Sequence, residues 1–174
     1  MLFWHVGGAV FLFRMVFRDP HVDLRFLVAG AILPNVIDLL LGVSLQTEPH
    51  RIGRGLGHTL LLAAAVMAAG MGVTRARSTA RRRAVAVAVG VMFHLLLDGM
   101  WVAPDVLLWP LAGSNLPGGL EGEWSGLPAS LRKHPIRLVQ EMVGLAYLVW
   151  LGRRGRLSDP TRRSRLWRTG IIGQ

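Results

Sequence analysis

The segment His94-Leu-Leu-Leu-Asp98 sets an imidazole and a carboxylate four residues apart. On a helix, positions i and i+4 lie on one face, and their side chains reach a common point. Histidine plus carboxylate suits Zn²⁺ or Mn²⁺. The chain has no cysteine, so any metal is held by His, Asp and Glu, a donor set that fits a catalytic centre better than a structural one. Four more ionisable groups sit inside apolar runs: His5, Asp38, His58 and Glu141. Such groups are costly inside a membrane and mark functional positions.

Composition says what must carry these groups. The 174 residues have a formal charge of +10, yet 52% are hydrophobic and only 17% charged. The mean hydropathy is +0.42. A disordered basic tail would lack this apolar content, and an ordinary soluble globule would carry more charge. The class that remains is a polytopic membrane protein with basic loops. A sequence pI near 11.8 would also suit nucleic acid. The arginines flank apolar runs instead of alternating with exposed aromatics, so no nucleic-acid partner is expected.

Five apolar segments, near 2–17, 25–43, 56–74, 84–102 and 136–151, read as helices, because lipid admits only helices and closed barrels. The expectation is an all-α transmembrane bundle of about five helices. The first segment lacks the basic start and small-residue cleavage site of a signal peptide. Residues 1–152 form the membrane domain, with 103–135 as an outer loop holding five of the nine prolines, and 153–174 form a basic tail with seven arginines. Placing the Arg75–Arg83 loop in the cytoplasm puts 15 of the 20 basic residues on that side, as the positive-inside rule requires. The N-terminus is then outside and the C-terminus cytoplasmic. Counted from the nearest cytoplasmic arginine at about 1.5 Å per residue, His5, Asp38, His58, His94, Asp98 and Glu141 lie roughly 14–26 Å deep. Five helices thus deliver polar groups to one level in the outer half of the membrane. Trp4, Trp101, Trp109 and Trp124 read as the outer aromatic belt. His21, His50 and His134 lie outside the level and are expected to contribute little.

The ordered set of His5, Pro34-Asn-Val-Ile-Asp38, Arg54-Gly-Leu-Gly-His-Thr59, Phe93-His-Leu-Leu-Leu-Asp98 and Leu108-Trp-Pro110 resembles the bacterial membrane-bound metal-dependent hydrolases, also described as LexA-binding, inner-membrane-associated hydrolases. The resemblance runs from His5 to about Glu141. It implies a helical inner-membrane protein with a His/Asp metal centre and hydrolase activity. Two positions depart from the family pattern. Asn35 stands where Pro-Asp-x-Asp is usual, and Gly53 stands where a histidine precedes Arg-Gly, with His50 three residues earlier. The order of His and Asp residues is also similar to zinc-dependent phospholipases C and single-strand nucleases, which points to phosphoester chemistry.

The expected centre has His5, Asp38, His58, His94 and Asp98 as ligands of a divalent metal, zinc or manganese, with Asn35 and Glu141 as helpers. A metal lowers the pKa of bound water toward ~7, and Asp38 or Glu141 takes a proton as general base. The partners are membrane lipids, and the substrate is a lipid or phosphoester reaching the site beneath residues 103–135. The alternative is a non-catalytic membrane protein that uses the same groups for ion or proton transfer. A third reading is a membrane tether for a cytoplasmic partner through the arginine-rich tail.

Overall fold

The computed structural model describes residues 1–44, 54–113 and 135–172. Among these residues the chain forms seven α-helices: α1 (Phe3–Val16), α2 (Leu24–Ser44), α3 (Leu60–Val73), α4 (Thr79–Leu97), α5 (Pro104–Leu107), α6 (Pro135–Arg154) and α7 (Pro160–Thr169). Short 3₁₀ turns cover Leu56–His58 and Met100–Val102. The protein is all-helical over the described residues, and α1, α2, α3, α4 and α6 coincide with the five apolar segments. By length and composition one of them, α2 over Leu24–Leu41, is long and apolar enough to cross a membrane. Helices α1 and α3, of 14 residues each, span about 21 Å. His50, Trp124 and His134 fall outside the described residues, as does most of the loop expected at 103–135.

Local chemistry explains where the helices depart from the apolar segments. The third segment opens as a 3₁₀ turn, and α3 starts only at Leu60. Thr59 is extended, and its hydroxyl accepts the Leu62 amide at 3.1 Å, an N-cap that satisfies an orphan donor of the first turn. Helix α4 begins earlier than its apolar run because Ser78 caps it through the Arg81 amide. Arg81 then turns back to donate to the Met71 and Thr74 carbonyls, both at 2.7 Å, closing the end of α3. Gly99, at φ +66°, takes the left-handed conformation that L side chains resist and ends α4. Pro34 does not break α2, which runs continuously from Leu24 to Ser44.

Two close helix crossings set the frame. Helix α2 packs along α4, and α1 along α6. A Cβ on Gly30 would lie 2.0 Å from the Val87 carbonyl oxygen, and one on Gly90 would lie 2.3 Å from that of Leu27. The α2 and α4 backbones therefore touch with no side chain between them. At the second crossing, a Cβ on Gly144 would meet the Phe3 carbonyl oxygen at 2.2 Å. Small residues at such positions are how helices approach closely where lipid removes the hydrophobic drive between them. The outward surface fits that setting. Leu138, Val139, Met142, Val143 and Trp150 on α6 are exposed, while His5, Asp38, His58, Thr59 and His94 are buried. Large apolar side chains outside and a small buried polar cluster within an apolar core fit a membrane protein better than a soluble one.

The basic tail folds back. Helix α7 is capped by Asp159, whose carboxylate accepts the Thr161 amide. It ends at Gly170 in a left-handed conformation, φ +71°. The Gly170 carbonyl accepts the Leu24 amide at 2.9 Å, and Arg25 donates to the Trp167 carbonyl at 2.7 Å. Ile172 and Leu157 join the apolar cluster of α1, α2 and α4. Asp23 pairs with Arg25 at 2.8 Å, and that guanidinium holds its carboxyl below the usual carboxylate range. Stability from this pair is present above the unfolded-chain value of about 3.9 and is lost as pH falls through the lower folded value.

Three outcomes follow. Gly90→Val forces a side chain into the α2–α4 contact and should cost at least ~2 kcal/mol, read as a lower melting temperature in detergent. Gly72→Ala, with nothing within 4 Å of its added Cβ, should leave the melting temperature unchanged or raise it. Gly170→Val, whose Cβ would lie 1.7 Å from Asp23 Oδ1, should release α7. Limited trypsin digestion would then cut the tail much faster than in the parent protein, and an unchanged cleavage rate would refute the docked tail.

Candidate metal centre

Three elements meet at Asp98, the residue that caps the C-terminal end of α4. The His94 and Asp98 side chains lie on one face of the helix end, with His94 Nε2 3.8 Å from Asp98 Oδ2. Helix α1 brings His5, whose Nε2 is 2.8 Å from Asp98 Oδ1 and whose ring stacks on that of His94 with centroids 4.1 Å apart. The turn before α3 brings His58, whose Nε2 lies 3.1 Å from Asp98 Oδ2 and 3.1 Å from His94 Nε2. One ligand atom each from His5, His94 and Asp98 falls within 4.8 Å of the others. The three imidazoles are 3% exposed or less.

The far side of each ring decides its tautomer. His94 Nδ1 is 2.7 Å from the Ala31 carbonyl oxygen, and His5 Nδ1 is bonded to the Met1 carbonyl oxygen. A carbonyl only accepts, so both Nδ1 atoms carry hydrogen. His58 Nδ1 is 2.6 Å from Asp38 Oδ2. That carboxylate also accepts the Gly55 amide at 2.8 Å and the Gly57 amide at 2.5 Å, so it acts as an ionised acceptor and His58 Nδ1 donates to it. All three rings therefore turn Nε2 toward one another and toward the Asp98 oxygens. Lone pairs facing lone pairs at 3.1 Å repel unless a cation, metal or proton, lies between them.

This geometry gives the expected site residues different places. His5, His58, His94 and Asp98 converge. Asp38 is buried behind His58, with both oxygens engaged by Gly55, Gly57 and His58, and it orients that ring. Gly57 makes this possible, because a Cβ there would meet the Pro34 carbonyl oxygen at 2.2 Å and Asp38 Oδ1 at 2.7 Å. Asn35 is half-buried on α2. Glu141 accepts the Phe3 amide at 2.8 Å and lies 3.9 Å from the N-terminal amine, so it secures the start of α1 two residues from His5. His21 is exposed beside Asp19.

Two contributors were not anticipated from the sequence. Trp4, expected in the aromatic belt, donates from its indole to the Leu97 carbonyl at 3.1 Å and so fastens α1 to the end of α4. Arg54 donates from Nε to Asp98 Oδ2 at 3.3 Å and from Nη2 to the Asp98 carbonyl at 3.2 Å. Its sequence signal was its place among the few basic residues on the predicted outer side, four positions before His58.

The fold and this cluster define an all-helical protein with an apolar exterior and a buried His/Asp group able to hold a metal ion. The chain belongs to the YdjM inner membrane protein family, which matches residues 1–158. Helix α7 lies beyond that match. No curated protein and no solved structure shows significant similarity to the chain.

The tautomers can be read directly. ¹⁵N NMR of histidine-labelled protein should find His5, His58 and His94 protonated at Nδ1, with slow solvent exchange. An Nε2–H tautomer at His94 would contradict the Ala31 hydrogen bond.

Proposed function

We propose that the protein is a multi-pass inner-membrane metal-dependent hydrolase whose centre is held by His5, His58, His94 and Asp98. The observation that carries this reading is the convergence of three Nε2 lone pairs on one carboxylate, each ring fixed from behind by an acceptor. Outer carboxylates and carbonyls of this kind usually orient the histidines of metal sites. A tetrahedral ion with bonds near 2.1 Å has ligand edges of about 3.4 Å; His58 Nε2, His94 Nε2 and Asp98 Oδ2 are 3.1, 3.1 and 3.8 Å apart, with His5 Nε2 2.8 Å from the other oxygen, Oδ1. Zinc suits this donor set, with manganese a second fit. The cation would supply Lewis acidity and a lowered pKa for water. The chain's own residues do the rest. Asp38 fixes the orientation of His58 with Nε2 toward the cluster, and the α2–α4 contact keeps His94 on the Ala31 carbonyl. Asp98 is the one carboxylate of the group that faces the cluster. The general base of this reading is Asp38 or Glu141, of which Asp38 has its oxygens engaged by Gly55, Gly57 and His58 and Glu141 accepts the Phe3 amide. In this reading the five helices cross the membrane, the C-terminus is cytoplasmic, and the substrate is a lipid or phosphoester.

Elemental analysis of purified protein tests the reading. Wild type should carry stoichiometric zinc or manganese, and His94→Ala should carry none while remaining inserted. Asp38→Asn should weaken metal binding by about 10–100-fold without abolishing it. Glu141→Gln should keep the metal. Metal-free wild type that transports ions or protons in liposomes would overturn the hydrolase in favour of the transfer reading.

A further inference from the structure

The C-terminal ends of α1 and α6 line a cavity that the metal centre does not use. Phe11, Arg14 and Met15 face it from α1, at i, i+3 and i+4, which is one side of a helix. Tyr147, Trp150 and Arg154 face it from α6, at i, i+3 and i+7, again one side. Leu151, 4% exposed, completes the lining. Closer to the other end the two helices touch at glycines, where a Cβ on Gly7 would lie 2.5 Å from the Gly144 carbonyl oxygen. Further along, large side chains replace the glycines, and a half-open volume of about 260 Å³ remains. Its wall is aromatic. Phe11 meets Tyr147 edge-on with centroids 5.4 Å apart, and Tyr147 stacks on Trp150 at 5.7 Å. The Arg154 guanidinium lies 5.3 Å above the Trp150 ring. Arg14 is nine residues along α1 from His5, about 14 Å, so the cleft is separate from the His/Asp cluster.

The lining holds two arginines and no carboxylate. Among the described residues neither guanidinium has a hydrogen-bond or ion-pair partner, and neither does the Tyr147 hydroxyl. Two cations on one cleft repel each other unless an anion joins them. Guanidinium groups are planar forks matched to phosphate, and a phenolic hydroxyl adds one more donor. From Trp150 the same side of α6 continues through Val143 and Val139, which are 52% and 55% exposed. Spacings of seven and four keep these residues in one apolar stripe. A soluble anion would use the charges and leave the stripe idle, whereas an amphiphile uses both. The volume falls short of the roughly 300–1,000 Å³ of pockets that enclose a whole small molecule, so it takes a headgroup and leaves the chains outside. The family is one of inner-membrane proteins, and the amphiphile at hand there is phospholipid. We propose that the α1–α6 cleft binds one phospholipid of net negative charge, its phosphate held by Arg14, Arg154 and the Tyr147 hydroxyl and an acyl chain laid along the α6 stripe. In the orientation proposed above this end faces the cytoplasm, where the leaflet carries anionic lipid. The site is independent of any metal in the cluster. Its occupant ties together, at one end, the two helices that carry His5 and Glu141 at the other.

The test uses full-length protein in nonionic detergent, with native mass spectrometry reading the lipids that stay bound. Dioleoyl phosphatidylglycerol and zwitterionic dioleoyl phosphatidylcholine are offered together at equal concentration. Wild type should retain one phosphatidylglycerol per chain, bound about tenfold more tightly than phosphatidylcholine. Arg14→Gln combined with Arg154→Gln should lower the phosphatidylglycerol affinity about tenfold and remove the preference. Tyr147→Phe should lower it about threefold, the loss of one neutral hydrogen bond. Arg162→Gln combined with Arg163→Gln, on the exposed surface of α7, removes the same charge elsewhere and should leave the affinity unchanged. An equal loss in that control would mean attraction by general surface charge and overturn the site. Wild type that retains both lipids equally also overturns it. Displacement of phosphatidylglycerol by millimolar inorganic phosphate would assign the cleft to a soluble anion and overturn the lipid. Should the double variant at the cleft not fold, Arg14→Gln alone leaves the Arg154–Trp150 contact in place and must still lower the affinity. Unchanged affinity there overturns the clamp.

Discussion

Everything in this protein is arranged around three imidazole protons that point away from the centre. An imidazole can offer a lone pair only if its other nitrogen holds the hydrogen, and that hydrogen needs an acceptor in a region without water. The chain supplies one per ring: the Ala31 carbonyl, the Met1 carbonyl and the Asp38 carboxylate. Each acceptor sits on an element that had to be brought there. His94 reaches Ala31 only because α2 and α4 touch backbone to backbone at Gly30 and Gly90. His58 reaches Asp38 only because the chain enters α3 through a turn instead of a longer helix, presenting the Gly55 and Gly57 amides to the same carboxylate. The glycines, the cap at Thr59 and the left-handed Gly99 are thus conditions of the cluster as much as of the fold.

The same constraint explains why the two aspartates of the site do different work. Asp38 accepts three hydrogen bonds from behind and beside it, which occupies both its oxygens and holds it in place. Asp98 sits at a helix end, where Arg54 grips it from outside and His5 and His58 approach its two oxygens from inside. A buried carboxylate with only outward partners is scaffold. One whose oxygens face convergent imidazole nitrogens belongs to the cluster itself.

Much of this was legible in the chain. The i, i+4 spacing of His94 and Asp98 placed both at one helix end, and counting residues from the arginines put His5, His58 and Asp38 at the same depth. Helix positions followed from apolar runs flanked by arginine. What could not be read was the direction of each group. Depth says nothing about which side of His58 Asp38 approaches, so Asp38 looked like a ligand. Glu141 shared the level and turned out to hold the start of α1. Trp4 had the composition of a belt residue, and only the α1–α4 approach gave its indole a carbonyl to bond. Pro34 can break a helix, yet α2 runs through it, because packing against α4 and the turn before α3 outweighs one missing amide. The tail read only as a basic stretch, since its arginines dominate its composition and its three apolar contacts at Leu157, Leu166 and Ile172 are scattered between them.

Helix α7 shows how far the constraint extends. It lies past the residues that match the family, yet it closes the start of α2 by accepting the Leu24 amide through Gly170 and holding Arg25 through Trp167. Helix α2 carries both Ala31 and Asp38, two of the three acceptors on which the imidazole tautomers depend. Its first turn would otherwise leave orphan amides at the end of the helix. By fixing that end, the tail steadies the register of α2 against α4, and a one-residue slip there would rotate Ala31 away from His94. The tail and the site are about half a helix apart, and the rigid, glycine-locked α2 is the element that joins them.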